Sequence, residues 1–77
     1  MQFHELSRED QIYALVQSMR YLVAEGFAFA KPLENLTYQE MADIASNILD
    51  DKQDSLPQDT RDQILDEAIQ YGKEFGY

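Results

Sequence analysis

Between Ser7 and Gly26 the apolar residues Ile12, Leu15, Val16, Met19, Leu22 and Val23 return at every third or fourth position. That period belongs to the α-helix and commits the segment to one amphipathic helix with a single apolar stripe. Ser7 suits the N-cap, where its hydroxyl can accept from an early backbone N–H, and the acids Glu9 and Asp10 favour the positive end of the helix dipole. Gly26 is a natural stop, since glycine takes the left-handed backbone without a Cβ penalty. A short helix with one apolar face is not stable alone in water, so the rest of the chain must cover it. With 77 residues and no cysteine, neither disulfides nor thiolate-bound metal can help stabilise so small a domain. Packing and self-association are the means left.

Two more helices are predicted. Thr37 and Glu40 have the spacing of a capping box, and Tyr38, Met41, Ala42, Ala45, Ile48 and Leu49 form a helical stripe behind them. The third helix carries Ile64, Leu65, Ala68, Ile69 and, at its end, Phe75. Two starts compete for it, Ser55 with Gln58 and Thr60 with Gln63; Pro57 suits a first turn, where its missing N–H is no loss. The expected helices span about 8–25, 38–50 and 58–74, within a single domain over 1–77. Between the first two lies FAFAKPLENL. Phe27 and Phe29 alternate with alanines, and Pro32 forbids a continuous helix, so the stretch reads as an apolar loop folded over the bundle. The fold class is all-α, a compact bundle of three main helices.

Charge narrows the partners. Fifteen acidic residues against six basic ones give a formal charge of -9, which repels nucleic-acid phosphate and anionic lipid. No apolar run is long enough to span a membrane, and MQFHELSRED lacks the basic and apolar regions of a secretory signal, so a cytoplasmic location is expected. The aspartates concentrate in DDKQDSLPQDTRD, residues 50–62. Asp54-Ser55-Leu56 resembles the tripeptide that carries phosphopantetheine in acyl carrier proteins. In that family, however, the serine opens a long second helix with a third to follow; here Pro57 intervenes and one helix remains. A calcium loop starting at Asp50 would place Lys52 third, Ser55 sixth and Arg61 twelfth, and one starting at Asp51 would place Leu56 sixth; neither register supplies the ligands and glycine required.

LTYQEMADIAS has the look of a first helix of a helix-turn-helix, with Thr37, Glu40, Met41 and Ala42 at familiar offsets. No glycine turn follows, and the next helix would present Asp59, Asp62, Asp66 and Glu67 to phosphate, so DNA binding is disfavoured. Catalysis has few candidates: His4 is the single histidine and lies near a terminus, and Gly26, Gly72 and Gly76 are isolated. No catalytic, cofactor-binding or metal-binding residue is assigned. What remains is interaction. Asp50, Asp51, Asp54, Asp59, Asp62 and Asp66 form the candidate partner-binding acidic face; Asp50 and Asp51 oppose the dipole at the end of the second helix, an arrangement that stability alone does not favour. Tyr13, Tyr21, Phe27, Phe29 and Tyr71 fall off the core stripes and are the candidate interface aromatics.

From Lys31 onward the layout resembles the YejL-like proteins, small helical proteins of bacteria. The resemblance rests on Lys31-Pro32, Leu36-Thr37, Asn47-Ile48-Leu49, Leu56-Pro57 and Arg61-Asp62-Gln63-Ile64, and covers about half the chain. The loop with Phe27 and Phe29 is longer here, and residues 40–67 are more acidic. The resemblance implies an intertwined helical homodimer and transfers no catalytic residue. The expected function is that of a non-enzymatic, acidic interaction or regulatory protein with a basic protein partner, in its sharper form a phage-type inhibitor of a nucleic-acid-binding protein. An obligate homodimer of purely structural role is the alternative.

Overall fold

The computed structural model describes residues 2–26, 35–52 and 56–74, the side chains of 71–74 excepted. A single 3-10 turn at Phe3–Glu5 leads into α1 (Arg8–Ala24), α2 (Tyr38–Leu49) and α3 (Gln58–Glu74). The described residues contain no strand. The ends form as the sequence dictates. Ser7 Oγ accepts from the Asp10 N–H at 3.2 Å, and Thr37 and Glu40 complete a reciprocal capping box. At the end of α1, Gly26 takes φ +84° while its N–H donates to Val23 O.

The central helix is α1. Both α2 and α3 lie along it, and contacts between α2 and α3 themselves are sparse. Its buried residues are Ala14, Leu15, Val16, Ser18, Met19 and Leu22. At 3.6 residues per turn, Ala14 and Val16 lie on nearly opposite sides, so the buried arc is wider than the single stripe predicted. Small side chains let α3 come close: Ala14, Ser18 and Ala68 are all buried. The Ser18 hydroxyl spans the contact, lying 2.8 Å from Ile64 O on α3 and 3.1 Å from Leu15 O on its own helix. A buried hydroxyl must find such an acceptor. Met41, Ile44 and Ala45 of α2, Leu56 just before α3, and Ile64 of α3 complete the core. Truncating a fully buried side chain such as Leu15 to alanine costs about 2–5 kcal/mol. A domain of this size has only about 4–12 kcal/mol in total.

Several expectations need correction. Tyr38, assigned to the core stripe, is 42% exposed. It stands in the first turn of α2, to one side of the face that Met41, Ile44 and Ala45 bury, with the Arg20 guanidinium 5.9 Å from its ring centre. Ile44, left out of the stripe, is buried in its place. Thr60 does not start the third helix but lies buried in its first turn, and the Arg61 N–H donates to Pro57 O, so Pro57 immediately precedes the helix. The N-terminal segment is docked, not free: Gln11 Nε2 donates to Phe3 O at 3.2 Å, and Phe3 packs against the core. Phe75 lies outside the described residues.

Arg61 is the least expected core residue, at 3% exposure. Its Nη2 donates to Asn47 O at 2.9 Å, placing the cation at the negative end of α2. Its Nε and Nη1 are buried without a hydrogen-bond partner among the described residues. Desolvating those donors offsets much of the electrostatic gain, so the aliphatic stem supplies the larger part of its contribution. Accordingly Arg61→Met, which keeps the stem, should cost at least ~1 kcal/mol less in urea unfolding than Arg61→Ala, which leaves a cavity. Equal costs for the two variants would assign the stabilisation to the charge.

Candidate functional site

The run DDKQDSLPQDTRD divides into parts with different structural roles. Asp50 is the C-cap of α2, and Arg8 reaches across from α1 to hold its carboxylate with two parallel hydrogen bonds of 2.9 Å. The same guanidinium donates to Ser46 Oγ at 2.7 Å. The cation offsets the unfavourable placement of an acid at this helix end. Asp51 follows with φ +55°, in the left-handed region. Its N–H donates to Ile48 O, and the Lys52 N–H donates to Asn47 O at 2.8 Å. These bonds make a Schellman motif, with an aspartate where glycine is usual. Both residues therefore have a local explanation as helix-terminating elements. Asp54 lies outside the described residues.

On α3, Asp59, Asp62 and Asp66 are all exposed, on the face opposite Ile64 and Ala68. Asp59 Oδ1 accepts from the Thr60 N–H, and Asp62 accepts from Gln58 Nε2. The Asp66 carboxylate has no hydrogen bond or ion pair among the described residues. Among the described residues the one ion pair is Arg8–Asp50, so none of the three has a cation within salt-bridge distance. This outer ridge is a row of solvated carboxylates at helical spacing.

Of the aromatic candidates, Tyr13 is 47% and Tyr21 52% exposed, both on the outer face of α1. Arg20 and Tyr38 adjoin that face. Phe27 and Phe29 lie outside the described residues. Tyr71 falls within α3, but its side chain is not among those described.

A further surface was not predicted. Between α2 and α3, over the start of α1, an open groove of about 400 Å³ is lined by the apolar Phe3, Ile48, Leu49, Leu65 and Ile69 and by the polar His4, Arg8 and Gln11. At 3.6 residues per turn, Arg8 and Gln11 lie on the opposite side of α1 from Tyr13, and Tyr21 stands nearly three turns further along the helix than Gln11. The groove and the tyrosine face are thus separate surfaces. Its sequence signal was present: Ile48, Leu49, Leu65 and Ile69 give α2 and α3 more apolar width than one central helix can cover.

Among the described residues no cluster of His, Cys, Asp and Glu has the arrangement to hold a metal ion. Among the described residues no helix is long and apolar enough to cross a membrane. The interval from Leu49 to Gln58 exceeds the turn of about 3–4 residues in a helix-turn-helix. No family model, curated protein or solved structure matches the chain. The layout resemblance to the YejL-like proteins therefore stands on the quoted residues alone.

The Asp51 geometry yields a test of its local role. Asp51→Gly should raise stability by ~0.5–1 kcal/mol, because glycine accepts the left-handed conformation freely, and Asp51→Val should lower it by at least as much. Thermal or urea unfolding reads both. If Asp51→Gly is destabilising, the carboxylate rather than the backbone matters at this position.

Proposed function

We propose that this chain is a non-enzymatic interaction protein whose acidic α3 face recognises a protein partner bearing a basic surface. The observation that carries this reading is the state of Asp59, Asp62 and Asp66: exposed together on one helix, with no cation beside them among the described residues. The basic residues Arg8 and Arg61 are engaged elsewhere, one at Asp50 and one inside the bundle. A charge of -9 on a small body attracts a basic partner over about a Debye length, roughly 8–10 Å at ordinary salt, and raises the encounter rate. Apolar contact then holds the complex. An inhibitor that occupies the nucleic-acid groove of its target, of the kind phages use, is the sharper form of the same proposal, since carboxylates at helical spacing can stand in for phosphates.

The test is a capture experiment with the tagged chain and with the Asp59→Asn/Asp62→Asn/Asp66→Asn variant. Captured proteins are identified and then bound as purified components across a range of salt. The proposal expects a basic partner whose association is slowed at least tenfold by the triple substitution, with a flatter salt dependence. A partner that binds both forms equally at all salt concentrations removes the steering role.

A second reading, self-association, is supported by the exposure of Tyr13, Tyr21 and Tyr38. An obligate dimer formed through these side chains would melt at a lower temperature on hundredfold dilution. A melting temperature independent of concentration rejects it.

A further inference from the structure

We infer that the groove between α2 and α3 is a docking site for a basic amphipathic helix of a partner protein. The inference rests on the acidic-face reading and gives it a place and a ligand class. Phe3, Ile48, Leu49, Leu65 and Ile69 line the groove, and all five remain only half-buried after the bundle has closed. A hydrophobic groove of this kind accepts the apolar face of a helix, with side chains at i, i+3, i+4 and i+7 as anchors.

Charge selects among possible occupants. Leu65 and Ile69 form the α3 wall, and Asp62 and Asp66 each precede one of them by three positions, so the carboxylates stand one turn away along that wall. On the other side Arg8 and His4 also line the groove. Arg8 is already held by both Asp50 oxygens, and Glu5 adjoins His4 in the 3-10 turn. A helix whose apolar stripe is flanked by lysine or arginine therefore meets apolar surface in the groove and carboxylates along its rim. A second copy of this chain would bring another body of charge -9 against the same rim, so self-docking is disfavoured.

The probe is a synthetic peptide of about four helical turns, with leucine at i, i+3, i+4 and i+7 and lysine at the flanking positions. A scrambled peptide of identical composition and charge is the control. Binding is followed by fluorescence anisotropy and by amide shift mapping on the isotope-labelled chain. We expect the amphipathic peptide to bind at least tenfold more tightly than its scrambled isomer, with shifts centred on Ile48, Leu49, Leu65 and Ile69. Ile69→Ser should remove that preference while leaving weak electrostatic binding. Leu65→Ala serves the same purpose if Ile69→Ser proves unfolded by circular dichroism. Asp62→Asn/Asp66→Asn should weaken both peptides and flatten their salt dependence.

Equal binding of the two peptides overturns the groove proposal while leaving the acidic face intact. Shifts centred on Tyr13 and Tyr21 overturn it in favour of the α1 face. Groove shifts that vary with protein concentration in the absence of peptide overturn it in favour of a second copy. Failure of both peptides to bind at low salt overturns the acidic-face reading as well.

Discussion

The structure depends on the close approach of α3 to α1 at Ala14, Ser18, Ile64 and Ala68. In a chain this small, without cysteine, this buried contact joins two segments far apart in the sequence. The Ser18 hydroxyl has the Ile64 carbonyl within 2.8 Å, which fixes the rotation of one helix against the other. With that rotation set, Asp59, Asp62 and Asp66 face water, and Leu65 and Ile69 are turned toward the gap beside α2. The acidic ridge and the groove wall are therefore consequences of the same contact. A larger side chain at Ser18 would push the helices apart and displace both.

Two arginines tie the last turn of α2 to the other helices. Arg8 joins α1 to the last turn of α2 through Asp50 and Ser46, and Arg61 joins the start of α3 to the same turn through Asn47. Both supply positive charge where α2 presents its negative end. Their consequence is compositional as well as structural. Cations held at the end of α2, Arg8 on the surface and Arg61 inside the bundle, do not neutralise the outer face of α3, which is left acidic. The charge asymmetry thus follows from placement as much as from numbers.

Much of the fold was legible in the sequence because helix signals are local. Ser7, Gly26 and the Thr37–Glu40 pair act within one turn of themselves, and all three form as their spacing implies. Less legible was anything decided by a neighbour distant in the chain. Nothing around Arg61 marks it as buried; its environment is made by Asn47 of another helix. Tyr38 fits a helical period but stands to one side of the face that Met41, Ile44 and Ala45 bury. Asp50 and Asp51 looked like a cost accepted for the sake of binding, and only the Arg8 contact and the positive φ of Asp51 supply their local roles. The groove was written in the sequence as surplus apolar width on two stripes, but its location required the helices to be placed.

Native-state hydrogen exchange tests the account most directly, because it ranks the helices by the free energy needed to open them. If α1 is the spine held from two sides, its amides from Leu15 to Leu22 should exchange only with global unfolding, together with those around Ile64 and Ala68. The ends of α2 and the Phe3–Glu5 turn should exchange earlier. Persistence of α2 after α1 and α3 have opened would contradict the arrangement, and with it the placement of both the acidic ridge and the groove.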